Sequence, residues 1–266
     1  MLLADYHIHS VSPDAKTPME QMCEASLFKG LTEIAVTDHY EFYAHGVHRP
    51  FFHEAYLKEY ARSLKACRER YAGRLTIRFG LELGQPHLCP KEALGVIRQY
   101  PFDYIIGSLH KIENVDLSAM DYTERTVPQI AEAYYRNLLE LSEVGEFDCL
   151  GHLDLLKRHT KKHGFSDNYD QYEPVIDQVL KNLAARGKGI EINTSGIRQG
   201  AGETMPGLRT LKRFMELGGQ VVTVGSDAHR PADVAADFGA AERMLRAAGV
   251  KAVTHFNRRC GFSQAF

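Results

Sequence analysis

The chain has no tryptophan, no Cys-x-x-Cys pair and no excess of either charge. Each absence removes a class of protein. The five cysteines (Cys23, Cys67, Cys89, Cys149, Cys260) are odd in number and widely scattered, which argues against a disulfide framework and a cysteine-held zinc. With 32 Lys and Arg against 34 Asp and Glu, the net charge is −2 and the pI is near 6.7. The basic excess of a general nucleic-acid binder is therefore missing. No apolar run approaches the roughly 18 residues that cross a bilayer, and no basic segment followed by an apolar one opens the chain. The cytoplasm is the expected setting, with neither membrane nor nucleic acid as a partner. Low-complexity linkers and visible repeats are also absent, so a single domain over residues 1–266 is expected.

What is present is alternation. Short apolar, β-branched runs at 2–9, 31–39, 75–83, 102–110, 147–155, 189–195 and 220–229 read as strands buried on both faces. Between them, 18–30, 56–73, 127–145, 172–187, 207–219 and 232–249 carry apolar residues at helical spacing and end at glycine. Seven such units in order predict a parallel sheet that closes into an α/β barrel of the TIM type. The segment 251–256 reads as an extra strand or a tail.

The polar residues support that reading. Barrel enzymes place their chemistry at the C-terminal ends of the strands. Here the first strand ends in His7 and His9, two residues apart and so on one side of an extended chain, with Asp14 following. Later strand ends supply His39, Glu82, His110, His152, Asp227 and His229. These nine imidazoles and carboxylates on one rim suit zinc, iron or manganese rather than calcium or magnesium, which prefer oxygen shells. One ion needs three or four protein ligands, so the set predicts two or three divalent ions with Glu82 placed between clusters.

The motifs His7-x-His9, Thr37-Asp38-His39, Glu82 after Gly80-Leu81, His110, Gly151-His152 and Ser226-Asp227-Ala228-His229 together resemble the polymerase and histidinol phosphatase (PHP) domain superfamily. The resemblance runs from residue 5 to 229 and implies a distorted seven-stranded (β/α) barrel. It also implies one metal on His7, His9, Glu82 and Asp227, a second on Glu82, His110 and His152, and a third on Asp14, His39 and His229. Within the superfamily the chain looks most like the histidinol-phosphate phosphatases, through residues 37–42, 191–198 and 226–231. It departs from their pattern at 111–117 and at Gly84-Gln85-Pro86, both in loops expected to shape the substrate pocket.

Phosphomonoester hydrolysis needs a nucleophile and neutralisation of the phosphoryl oxygens. A water shared by two divalent ions is acidic enough to attack as hydroxide at neutral pH. Glu82, Asp227 and His229 are the expected catalytic group among the ligands. Arg158 and Arg198 follow strand ends and are expected to fork onto phosphate, with Ser195 as a further donor or a helix cap. Asp5, Asp38 and Asp154 are expected to orient ligating imidazoles. His45, His48, His53, His87, His159, His163 and His255 lie off the motifs and read mostly as surface residues. The loop 40–52 reads as a lid with Glu41 opposing an amine, and Glu113, Asp116 and Asp121 are further acidic candidates for that role. The expected partner is a small phosphate ester, histidinol phosphate first. The competing functions are a phosphoesterase acting on nucleotides or nucleic-acid ends, and a non-catalytic metal-stabilised module.

Overall fold

The computed structural model describes residues 1–10, 15–43, 54–166 and 169–266. The elements run β1 (Ala4–Ile8), α1 (Met19–Phe28), β2 (Glu33–Val36), β3 (His39–Glu41), α2 (Glu54–Arg70), β4 (Thr76–Gly84), α3 (Pro90–Gln99) and β5 (Tyr104–Ser108). A hairpin of β6 (Lys111–Ile112) and β7 (Val115–Asp116) precedes α4 (Thr126–Val144), β8 (Cys149–Leu150), α5 (Leu156–Lys162), α6 (Tyr169–Ala185) and β9 (Gly189–Asn193). The chain then forms α7 (Ser195–Arg198), α8 (Leu208–Glu216), β10 (Val222–Gly225), α9 (Phe238–Ala247), β11 (Ala252–Asn257) and β12 (Cys260–Ala265).

The main sheet is parallel and ordered β1-β2-β4-β5-β8-β9-β10, so all seven expected strands are present and in sequence. The second expected strand is broken. β2 pairs with the first half of β4 (Glu33↔Thr76 to Val36↔Phe79), and β3 pairs with its second half (His39↔Glu82 to Glu41↔Gly84). That break places His39 directly beside Glu82. No hydrogen-bonded ladder joins β10 to β1. The circle closes instead through an Ile8–Ala228 bridge and the carboxylate of Asp5, which accepts from the amides of Ser226 (2.9 Å) and Ala235 (3.0 Å) and from the Ser226 hydroxyl.

Within β1 the pairing to β2 slips between Asp5↔Ile34 and Ile8↔Val36. A bulge of this kind turns the side chains that follow it. Within it, Tyr6 packs in a cluster with Tyr104 and Phe256 at the N-terminal end of the barrel, while His7, and His9 beyond it, face the opposite end. The segment 251–256 is a strand, but it lies in the antiparallel β11–β12 hairpin, outside the barrel. The hairpin caps the barrel floor, where the Phe256 amide donates to the Tyr6 hydroxyl at 2.8 Å. Five of the six expected helices match within a few residues at each end. The sixth begins at Phe238 rather than at 232. Helices α3, α5 and the one-turn α7 were not expected.

The floor also buries a charge. Glu33 accepts from the Tyr6 hydroxyl and from Arg78 at 2.9 and 3.0 Å, and His255 Nδ1 lies 3.2 Å away. Burial alone would raise its pKa, but His255, Arg78 and Tyr6 together hold it at about 2. A depressed carboxylate stabilises the fold above its unfolded pKa of roughly 4.3 and loses that contribution as pH falls toward its folded value. Glu33→Gln should therefore cost about 2 kcal/mol at pH 7, because it leaves the half-buried Arg78 without its counter-charge. The cost should be smaller at pH 3. Denaturant unfolding at both pH values checks this, and equal costs would show that ionisation of Glu33 contributes nothing.

Candidate metal centre

At the C-terminal rim the two oxygens of buried Glu82 face two sets of imidazoles. Oε2 lies 2.9 Å from His39 Nδ1, 3.2 Å from His7 Nε2 and 3.5 Å from His9 Nε2. Oε1 lies 2.9 Å from His152 Nε2 and 3.1 Å from His110 Nε2, and it accepts from the Ser108 hydroxyl at 2.6 Å. Asp227 Oδ1 joins the first set, 3.4 Å from His9 Nε2 and 3.9 Å from His7 Nε2. His39 and His229 flank His9 as stacked rings, with centroids 4.3 and 4.1 Å away.

The electrostatics follow from this crowding. Burial would raise the Glu82 pKa, yet His7, His39 and His110 hold it well below the usual range. Burial opposes protonation of His110, but Glu41 and Glu82 push it up to about 9. His9 is driven down to about 3 by burial and by its neighbours His229 and His39, so its lone pairs stay available.

The donor set fits divalent transition metals. Both ring nitrogens of His9 are buried without a hydrogen bond, which is costly unless something else satisfies them. His110 Nε2 and His152 Nε2 sit only 3.4 Å apart and converge on one carboxylate oxygen. His7, His9 and Asp227 offer ligand atoms within 4.8 Å of one another, as do His9, His39 and His229.

Two of these residues adopt backbone conformations that side chains rarely take, His152 at φ 23° and Asp227 at φ 53°. Strain of this kind persists only where the surroundings enforce it. The His152 amide donates to Glu191 Oε2 at 2.9 Å. Arg198 Nη2 donates to the carbonyls of Ser226 (2.5 Å) and Asp227 (3.0 Å), and the Ser195 hydroxyl donates to Asp227 Oδ2 at 3.1 Å. Gly225 is required because a Cβ there would meet His7 Cβ and Glu191 Oε1 at 2.3 Å.

The residues that orient the imidazoles differ from those expected. Asp5 fastens the barrel seam, Asp38 accepts from Ser10 and Tyr56, and Asp154 pairs with Lys157 at 2.5 Å. The orienting groups come instead from strands remote in sequence and two places away in the sheet. They are Glu191, 2.6 Å from His7 Nδ1, and Glu41, 2.6 Å from His110 Nδ1. Glu41 also binds Lys111 and Gln85, so it is committed to this network and not to an amine. Glu191 carried a signal, since a charge within a strand buried on both faces needs a partner.

The centre floors a cavity of about 700 Å³. Arg158 lines it and donates to Gln199, another wall residue. Arg198 does not line it; its guanidinium lies behind Asp227, with Nη1 buried and unpartnered. Ser195 is likewise turned to Asp227, neither lining the cavity nor bonding as a helix cap. The β6–β7 hairpin lines it as expected, whereas Gln85 lies behind His110 and receives its amide at 2.7 Å. His87, His159 and His255 are buried, contrary to the surface reading, and His159 faces the cavity. Asp14, His45, His48, His53 and the part of the expected lid from 44 to 52 lie outside the described residues.

Comparison with known proteins places this geometry. The PHP domain family matches residues 5–195. The chain belongs to the PHP domain family. Across nearly its whole length this PHP chain is 30% identical to a Clostridium acetobutylicum protein named "Probable histidinol-phosphatase", covering 95% of the chain and 96% of that relative. It is 29% identical to a histidinol-phosphatase of Lactococcus lactis, over 85% and 83% of the two chains. A crystal structure of Lactococcus lactis histidinol phosphate phosphatase with zinc, L-histidinol and phosphate shares the fold, with a TM-score of 0.83, 24% identity and coverage of 97% and 98%. No helix among the described residues is long and apolar enough to cross a membrane.

Because Glu82 faces both imidazole sets, Glu82→Ala should lower the metal content of this PHP domain by at least one ion per chain. Elemental analysis after dialysis, with the parent and Glu33→Gln as references, is the check. Parent-like stoichiometry would mean that the two sets bind without a common carboxylate.

Proposed function

We propose that the protein is a metal-dependent phosphomonoesterase whose substrate is L-histidinol phosphate. One observation carries the reading: two histidine sets share Glu82 at the floor of a cavity that an arginine overlooks. The kinship with named histidinol-phosphatases supports the choice of ester. The first ion would be held by His7, His9, Glu82 and Asp227 and a second by Glu82, His110 and His152, with His39 and His229 beside His9 for a third. When bound, zinc, iron or manganese ions supply Lewis acidity and lower the pKa of a coordinated water toward neutrality.

The chain's own groups then have defined tasks. Glu191 and Glu41 hold His7 and His110 with Nε2 toward the centre, fixing tautomer and ring plane. Asp227 and His229 share the cavity wall with Glu82 at the reacting end. Arg158 presents a guanidinium fork to the cavity, which suits two phosphoryl oxygens better than a lysine does. For Arg198 to be the second donor for phosphate its guanidinium must turn from behind Asp227 into the cavity, and the unpartnered Nη1 is the group that would make the contact.

Metal-loaded protein should hydrolyse histidinol phosphate with at least about 100-fold higher kcat/KM than glycerol phosphate, a gap of roughly 2.7 kcal/mol. Equal values would leave a general phosphatase, and a preference for nucleotides would move the protein to another substrate class. Arg158→Ala should retain its metals and lose about 2 kcal/mol of transition-state binding, roughly 30-fold in kcat/KM. Arg198→Ala should lose efficiency as well, and its metal content separates a phosphate contact from support of Asp227. Parent-like kinetics in both variants would place the phosphate elsewhere.

A further inference from the structure

The cavity has a second end that the metal centre does not use. There the β6–β7 hairpin turns through Glu113 and Asn114, both at positive φ (49° and 66°), which makes a tight two-residue loop. The register pairs Lys111 with Asp116, so both project from one face, and both line the cavity. Glu113 at the tip and Asp121 beyond the hairpin are exposed and do not line it.

Among the described residues four carboxylates line the cavity: Glu41, Glu82, Asp116 and Asp227. Three are committed, Glu82 and Asp227 to histidines and Glu41 to His110 and Lys111. Asp116 differs. Its Oδ1 accepts from the amide (2.8 Å) and hydroxyl (2.6 Å) of Ser118, which fixes the carboxylate, while Oδ2 accepts from no donor among the described residues. Burial would raise the Asp116 pKa, but Ser118 and then Lys111 hold it below the usual range, so it stays charged.

The same wall carries His159 from α5. Its ring lies parallel to that of Tyr122, at 5° with centroids 6.2 Å apart, and the Tyr122 hydroxyl is pinned to the Leu117 carbonyl at 2.8 Å. Burial and adjacent Arg158 push His159 down to about 3, so the ring is neutral. Neither ring nitrogen bonds within the described protein, and Leu117 and Leu155 add apolar wall beside it.

We propose that Asp116 and His159 form the subsite that reads the alcohol half of the substrate, Asp116 taking an ammonium group and His159 a flat heteroaromatic ring. This rests on the phosphomonoesterase reading above and narrows it to esters of amine-bearing alcohols. The positive charge of the alcohol half meets Asp116 Oδ2, which no donor among the described residues occupies. The neutral imidazole can donate to or accept from a ring nitrogen without a charge to desolvate.

The test uses metal-loaded protein and three esters: glycerol phosphate, with neither group, phosphoethanolamine, with the amine alone, and histidinol phosphate, with amine and ring. Asp116→Asn keeps an oxygen for Ser118. It should cut the kcat/KM preference for both amine esters over glycerol phosphate at least tenfold, chiefly through KM. His159→Ala should cut the preference for histidinol phosphate over phosphoethanolamine at least fivefold. Preferences within twofold of the parent in both variants would overturn the proposal. So would equal losses on all three esters, which is what a purely structural role produces. A parent that hydrolyses other esters but not histidinol phosphate would remove the functional reading itself and this subsite with it.

Discussion

The carboxylate of Glu82 is the constraint around which the rim is organised. A buried charge of this kind survives only with counter-charges on every side, and five imidazoles converge on its two oxygens. Meeting that demand dictates much else. The break between β2 and β3 brings His39 alongside, and the bulge in β1 turns His7 and His9 upward. Gly225 leaves room for His7, and His152 and Asp227 accept unfavourable backbone angles to point inward. Burial, with His229 and His39 alongside, holds the His9 pKa low and its ring neutral. Divalent ions would take up the lone pairs of such neutral imidazoles and so would couple metal binding to the stability of the rim.

Much of this was legible in the sequence because the information was local. Strands buried on both faces, each ending in a ligand type, predict both the barrel and the rim. His7 and His9 follow from a two-residue spacing in an extended chain. What escaped was non-local. Glu191 and Glu41 orient imidazoles on strands far from them in sequence, whereas the aspartates beside the ligands point away from the centre. Asp5 shows the point well: two residues before His7, it serves the opposite edge of the sheet, 221 residues on. His159 lies in a short helix whose seven residues give too little periodicity to reveal a buried face. The β11–β12 hairpin escaped because its second strand is exposed along its whole length and carries no apolar run.

The two ends of the barrel handle buried charge differently. At the floor, Glu33 is matched by the fixed donors Arg78 and Tyr6 with His255 beside it, and the result is a static plug under the hairpin. At the rim, the partners are imidazoles, which can exchange protons for ions. One end is closed by aromatic packing and ion pairing, and the other is left open as a cavity. That division of labour gives the lower half the rigidity on which the placement of the rim depends.

The seam between β1 and β10 has a mechanical meaning of its own. Every other neighbouring pair in the circle is joined by a ladder, but among the described residues the seam carries one isolated bridge, with the His9 amide donating to the Ala228 carbonyl at 2.9 Å, and the Asp5 carboxylate. His7 and His9 stand on one lip of that gap, and Asp227 and His229 stand just past the other. An ion held by both lips would act as a clasp on a hoop, adding coordination bonds where the backbone pairing is thinnest. A bound ion would thus fasten the barrel at the lip where the ligand side chains converge.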